Sequence, residues 1–89
     1  MADKQDHIIL GVHIVNRIEE AGIVQKVFTE YGCNIRTRIG LHTLTDNVCS
    51  AEGLILLEIH GGEAIADDLA AKLNEIEGVE TQKLVFKHQ

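Results

Sequence analysis

The chain has 89 residues and a formal net charge of −6, with 45% hydrophobic and 25% charged residues. This composition excludes intrinsic disorder and predicts one small domain over residues 1–89, with 1–6 as a frayed lead-in, while the negative charge argues against direct nucleic-acid binding. Two cysteines and the lack of a long apolar run indicate a cytoplasmic protein rather than a secreted or membrane-spanning one.

Predicted strands and helices follow one another in the order β-α-β-β-α-β. Residues 7–15 are rich in β-branched side chains on both parities, which is typical of a central strand. The remaining segments are a helix over 16–31, strands over 34–43, 54–60 and 79–87, a loop over 44–53 and a helix over 63–77. This order predicts an α+β, ferredoxin-like fold, with two helices on one face of a four-stranded antiparallel sheet in spatial order four, one, three, two.

The first helix has a recognisable start, buried face and stop. Asn16 can cap the N-terminus while Glu19 reaches back to the Asn16 amide, which is the spacing of a capping box. Gly32 predicts the stop, because a residue without Cβ readily adopts the left-handed conformation. The expected buried residues are Val24, Val27, Phe28 and Tyr31 in this helix, and Ile65, Leu69, Leu73 and Ile76 in the second helix, which Gly78 ends.

Strand parity then assigns side chains to the two faces of the sheet. The face covered by the helices is expected to take Ile8, Leu10, Val12, Ile14, Ile35, Ile39, Leu41, Ile55, Leu57, Ile59, Leu84 and Phe86. The opposite face, which we name the open face, is expected to take Ile9, Gly11, His13, Val15, Arg36, Arg38, His42, Leu54, Leu56, Glu58, His60, Lys83 and Val85.

The open face is too apolar in its middle to be left in water by a small acidic monomer. We therefore expect it to pack on a second copy of the chain, in a dimer or a tetramer. The predicted interface residues are Ile9, His13, Arg36, Arg38, Leu54, Leu56, Glu58 and Val85.

The region of the first helix resembles a known family. The stretch VNRIEEAGIVQKVFTEYGCNI, with Asn16 at the helix start and Gly32-x-Asn34-Ile35 opening the second strand, resembles the first β-α-β segment of ACT-type regulatory domains. Over positions 7 to 87, the stretches GVHIVNR, YGCNIRTRIGLH, CSAEGLILLE and LNEIEGVE resemble the small stand-alone ACT-like proteins described as regulators of the iron-only hydrogenase system. The resemblance implies a non-enzymatic ligand-sensing or regulatory module, with no cofactor, that works through a small-molecule effector or a protein partner.

The start of the first helix is the candidate ligand site, formed by Asn16, Arg17, Glu19 and Asn34. Glu19 stands where ACT domains that bind amino acids usually carry glycine. Its carboxylate would repel the carboxylate of an amino acid, so an amino-acid effector is not expected at this spot. A helix cap is the simpler explanation of Asn16 and Glu19, and ligand contact is the alternative.

Histidines and a cysteine suggest a different function, a transition-metal sensor. His13, His42 and His60 are predicted on the open face, and Cys49 lies in the loop between two of them. Imidazole and thiolate groups bind Ni, Zn or Cu, and such a ligand set could be shared between subunits. The arrangement resembles the C-terminal domain of nickel-responsive regulators, in which a strand histidine is followed by a loop cysteine. The simpler explanation is interface histidines that pair with Glu58 or stay neutral.

Catalysis is not expected, because no nucleophile–base spacing and no Gly-rich phosphate loop is found. The carboxylates of the second helix, Asp67, Asp68, Glu75 and Glu77, fall on its solvent side or at its end. Cys33 is expected to be buried as a small apolar side chain. Arg36 and Arg38 are expected to form ion pairs between subunits rather than to bind an anionic ligand.

Overall fold

The computed structural model describes residues 6–15, 17–41, 44–45, 48–49 and 53–87, with side chains described for 6–15, 22–41 and 53–87. The elements are β1 (His7–Ile14), α1 (Arg17–Glu30), a short 3-10 helix (Gly32–Asn34), β2 (Ile35–Leu41), β3 (Leu44–Thr45), β4 (Val48–Cys49), β5 (Gly53–Ile59), α2 (Glu63–Asn74) and β6 (Val79–Phe86). β3 and β4 pair with each other inside the segment predicted as a loop, because strands of two residues leave no periodicity to read.

The four long strands form an antiparallel sheet in the order β2-β5-β1-β6. This is the predicted order, and together with the two helices it makes a ferredoxin-like fold. β1 and β5 occupy the centre of the sheet, which explains why β1 is rich in apolar side chains on both parities. The prediction of fold class from the order of elements is therefore confirmed.

The core lies between the helices and one face of the sheet. Val24, Val27 and Phe28 of α1 are buried, as are Leu69 and Leu73 of α2, so both predicted helical stripes are confirmed. Tyr31, Ile65 and Ile76 are partly buried and pack against this core. Fully burying a side chain of this size stabilises the fold by about 1.5–3 kcal/mol.

Glycines end only some of the elements in the predicted way. Gly78 has a φ of 80° directly before β6, as expected of a left-handed stop. Gly32 does not, because it begins the 3-10 helix instead, and the prediction of a left-handed Gly32 is wrong. The 3-10 turn is closed by the Asn34 amide, which donates to the Tyr31 carbonyl at 2.8 Å.

A β-bulge in β2 reverses the predicted faces of that strand. The register with β5 shifts between Ile35 and Thr37, so two residues of β2 stand where one residue of a regular strand would. Ile35 still packs against the core, whereas Ile39 is paired with Leu56 on the open face. A shift of one residue moves every following side chain to the other face, so the predicted placement of Ile39 and Leu41 under the helices, and of Arg38 on the open face, is wrong.

The predicted faces of β6 are also reversed. Leu84 is paired with Ile9 and 58% exposed on the open face, and Phe86 is 59% exposed beyond it. Val85, predicted at the subunit interface, is paired with the buried Ile8 and packs against the core. The placement of Val85 and Lys83 on the open face is wrong, because β6 carries apolar residues on both parities and the sequence alone did not fix its register.

Candidate functional site

The open face can be described as three rows that cross the sheet from β2 to β6. The strand register places the following positions side by side: Thr37, Glu58, Ile9 and Leu84 in the first row, Ile39, Leu56, Gly11 and Gln82 in the middle row, and Leu41, Leu54, His13 and Glu80 in the third row. Of the predicted interface residues, Ile9, His13, Leu54, Leu56 and Glu58 lie on this face.

Apolar side chains on this face are exposed to an unusual degree. Ile39 is 50% exposed, Leu41 is 44% exposed and Leu54 is 38% exposed, in addition to Leu84 and Phe86. The bulge in β2 and the register of β6 therefore make the open face more apolar than the sequence predicted. Apolar patches of this kind mark interaction surfaces in soluble proteins.

A shallow concavity of about 430 Å³ lies in the middle of this face, and we name it the notch. It is centred on Gly11, which carries no side chain, between Leu56 of β5 and Gln82 of β6. The residues that line it from the open face are Ile9, Gly11, His13, Leu54, Leu56, Glu80, Gln82 and Leu84.

Polar groups on this face have partners within the same subunit. The Thr37 hydroxyl donates to Glu58 Oε1 at 2.8 Å, which compensates that carboxylate. His13 Nδ1 lies 4.0 Å from Glu80 Oε1. The carboxylates of the open face therefore lie towards its first and third rows, and the middle row carries no charge.

The two arginines of β2 are separated rather than paired. Arg38 contacts α1: its guanidinium lies 4.9 Å from the centre of the Phe28 ring, and its Nη1 donates to Gln25 Oε1 at 3.0 Å. Arg36 Nη2 lies 3.3 Å from His60 Nδ1 at the end of β5. The position of Arg38 is thus explained by its packing on α1. Arg36 and Arg38 point to different partners and do not bind one anion together.

Asn34 is the candidate ligand residue whose side chain is described, and it has a structural role. Its Nδ2 donates to the His60 carbonyl at 2.9 Å, while the His60 amide donates to the Asn34 carbonyl at 2.7 Å. A Cβ at Gly61, which has a φ of 115°, would lie 2.7 Å from Asn34 Nδ2. The Gly-x-Asn-Ile motif therefore ties the start of β2 to the end of β5. Asn16 and the side chains of Arg17 and Glu19 lie outside the described residues.

The residues proposed to bind a metal are not brought together within one subunit. His13 is paired with Leu54 near the start of β5, whereas His60 comes six residues after Leu54, just past the end of that strand. At about 3.4 Å per residue, the two histidines lie about 20 Å apart. Within the described residues no group of three or more His, Cys, Asp or Glu could hold a metal ion. His42 lies outside those residues, as does the side chain of Cys49 in β4.

Cys33 is exposed, so the prediction that it is buried is wrong. It lies in the 3-10 helix between Gly32 and Asn34, and this turn points away from the core. The side chains of this 3-10 turn could not be assigned to a face from helical or strand periodicity.

An ion-pair network on the helix-covered side fixes β6 against α2. Lys83 Nζ donates to Glu63 Oε2 at 2.7 Å and also to Asp67, one turn further along α2. The hydrogen bonds from Lys83 and then Lys87 lower the pKa of Glu63. The hydrogen bonds to Asp67 and then Glu63 raise the pKa of Lys83. This network explains why Lys83 lies on the opposite side from its predicted face.

Comparison with solved structures gives matches over nearly the whole chain. The uncharacterized protein TM1266 from Thermotoga maritima superposes with a TM-score of 0.77 at 20% identity, covering 96% of this chain and 100% of that one. CPII, a nitrogen regulatory PII-like protein from Thiomonas intermedia bound to ADP, AMP and bicarbonate, gives a TM-score of 0.55 at 8% identity, covering 94% and 96%. The chain shares their fold. No family model matches it, and no curated protein matches it.

These likenesses show a small ferredoxin-like fold. At such identities they show the fold alone, because one fold serves many functions. Neither helix of the described residues is long and apolar enough to span a membrane.

Proposed function

We propose that this chain is a non-enzymatic regulatory module that works as a homo-oligomer, in which the open faces of two copies pack together. The observation that carries the proposal is the exposed apolar surface of the middle and third rows, where Ile39, Leu41, Leu54 and Leu56 lie side by side. Association would remove this surface from water, which is the main driving force of protein association. The chain needs no cofactor in this role.

The regulated process proposed is the iron-only hydrogenase system. Support comes from the sequence stretches that resemble stand-alone ACT-like regulators and from the ferredoxin-like fold of the chain. A PII-like structural neighbour is described as a nitrogen regulatory protein bound to ADP, AMP and bicarbonate. We propose by analogy that a small molecule controls how this module engages a protein partner in the cytoplasm.

The proposal includes no catalytic step and no direct contact with nucleic acid. Lys72, Lys83 and Lys87 each form an ion pair with a carboxylate of the same chain. A net charge of −6 also repels a phosphate backbone rather than attracting it. A protein partner is therefore the expected route of any effect on gene expression.

The oligomer is tested with Leu56→Glu, which places a carboxylate in the middle row of the open face. The expected result is that multi-angle light scattering gives a dimer or tetramer for the unsubstituted protein and a monomer for the variant, because an unpaired buried charge is costly. The matched control is Ile23→Glu on α1, where the side chain is 50% exposed and away from the open face. An unsubstituted chain that is monomeric, or a Leu56→Glu variant of unchanged mass, contradicts the proposal.

The effector site is tested by calorimetry with ADP, AMP and bicarbonate as the first compounds, each against the oligomer and against the Leu56→Glu variant. We propose that the effector binds at the subunit interface, so it should bind the oligomer and bind the monomeric variant at least tenfold more weakly. Equal binding to both proteins would place the effector within one subunit and refute an interfacial site.

A further inference from the structure

Within one subunit, the notch on the open face is left unfilled by side chains. Gly11 lies in the middle of a central strand, directly between Leu56 and Gln82 of the neighbouring strands. Glycine is disfavoured inside strands, and where it occurs it often marks a position that something else approaches closely. The question is therefore whether the subunit itself requires glycine at this position.

The subunit does not require it. A Cβ at Gly11 would lie 3.7 Å from the Gln82 carbonyl oxygen and 3.8 Å from Leu56 Cδ2, which are ordinary contact distances. Gly11 is also not among the glycines with a positive φ, so its backbone accepts any residue. Neither space nor backbone geometry explains the glycine, and an occupant from outside the subunit does.

We infer that the occupant is Leu56 of a second copy, in a dimer whose twofold axis runs parallel to the strands between β1 and β5. This inference rests on the proposed function and adds the arrangement of the two copies. Gly11 and Leu56 are register partners on the two central strands, so this axis exchanges them. Each Leu56 then enters the notch of the other subunit, and two knobs fill two holes.

An axis that runs across the strands gives a poorer fit. It would place Leu56 against the same residue of the second copy and Gly11 against glycine, which combines a collision with a void. The Glu58 carboxylate does not favour either axis, because it already accepts a hydrogen bond from Thr37 and requires no partner from the second copy. Size complementarity in the middle row therefore selects the axis parallel to the strands.

The size of the face indicates a reversible dimer. Four strands about 4.8 Å apart give a width of about 20 Å, and seven or eight residues per strand at about 3.4 Å each give a length of about 25 Å, so two copies bury about 1,000 Å² in total. This area is at the lower end of the range for specific interfaces. We expect a dimer that dissociates on dilution, and whose stability depends on how well the notch is filled.

The first test fills the notch from within with Gly11→Leu, using Gly11→Ala as the matched control. The dissociation constant from sedimentation equilibrium should rise at least tenfold for Gly11→Leu and change less than threefold for Gly11→Ala. Circular dichroism should show that both variants fold, since glycine itself weakens the interior of a strand and the added Cβ meets only ordinary contact distances. A Gly11→Leu variant that dimerises as well as the unsubstituted protein overturns the inference.

The second test determines the axis by cross-linking Ile39→Cys and Gln82→Cys in a background of Cys33→Ser and Cys49→Ser. Ile39 and Gln82 stand at opposite ends of the middle row. The proposed axis places them face to face, so a short bismaleimide should link a mixture of the two variants, and neither variant alone. If Ile39→Cys alone is linked, the axis is wrong although the oligomer stands. A monomeric unsubstituted chain overturns the proposed function as well.

Discussion

The contact between Gly61 and Asn34 makes a quantitative prediction about the substitution Gly61→Ala. The added Cβ would lie 2.7 Å from Asn34 Nδ2, closer than real Cβ contacts, so the amide must rotate away from the His60 carbonyl. Losing this hydrogen bond costs about 1–2 kcal/mol. The φ of 115° adds about 1–2 kcal/mol of backbone strain for a residue with a Cβ.

The two costs can be separated with a double-mutant cycle. In an Asn34→Ala background the added Cβ meets no amide, so Gly61→Ala should then cost the backbone strain alone. The double variant should therefore be about 1–2 kcal/mol more stable than the sum of the single variants predicts. Gly62→Ala is the control, because a Cβ at Gly62 meets nothing within 4 Å, and its cost should not depend on Asn34.

The assay is urea unfolding followed by circular dichroism, at one protein concentration for all variants, since the unfolding midpoint of an oligomer depends on its concentration. If Gly61→Ala and Asn34→Ala prove additive, the tie between β2 and β5 described above does not exist. The Asn34 side chain would then be available to contact a ligand.

Three further predictions concern the faces of β2 and β6. Lys83→Met should make unfolding less sensitive to acid. The pKa of Glu63 is lowered in the folded state, so the contribution of Glu63 to stability is complete above the unfolded carboxyl pKa and is lost as pH falls through the folded pKa. An unchanged pH profile of the urea midpoints would contradict this prediction. Arg38→Ala should cost about 0.5–1 kcal/mol through the lost contact with Phe28, and Arg38→Lys should not fully restore it, whereas equal stability of all three proteins in urea would refute that contact. Val85→Glu should unfold the subunit, while Leu84→Glu should leave the fold intact and weaken the oligomer; the reverse result in circular dichroism and light scattering would restore the sequence-based faces of β6.

The fold could be predicted because its signals are periodic and long. The buried stripes of α1 and α2 repeat at helical spacing over several turns, and Gly78 takes the left-handed conformation that the stop required. β1 is apolar on both parities because it lies at the centre of the sheet, which its sequence indicated. Order and spacing of these elements leave few alternative topologies.

The faces of the outer strands could not be predicted, because each depends on one residue of register. The bulge between Ile35 and Thr37 inserts one residue, and no glycine or proline marks it in the sequence. As a result, Ile39 lies on the open face and Arg38 on the helix-covered face, the reverse of the prediction. In β6, Leu84 and Val85 are equally apolar neighbours, so the alternation is ambiguous. One usable signal was the spacing of Glu63 and Asp67, which presents two carboxylates to a lysine on the helix-covered side.

The candidate site was predicted in part. Leu54 and Leu56 lie on the open face as expected, but the glycine that shapes its middle was not recognised as a feature, because a missing side chain gives no hydrophobic signal. The histidines were predicted to form a metal site because strand parity places them on one face of the sheet but does not give the distances between them. The register separates His13 from His60 along the strand direction.

Native mass spectrometry of protein purified without a metal-affinity tag shows whether the open faces of two copies pack together. Over protein concentrations from low to tens of micromolar, we expect a metal-free dimer that dissociates on dilution, and a Leu56→Glu variant that is monomeric throughout. A chain that stays monomeric at the highest concentration would rule out packing of the open faces. So would an oligomer that carries about one transition metal per subunit and survives Leu56→Glu, because histidine and cysteine ligands would then hold the copies together.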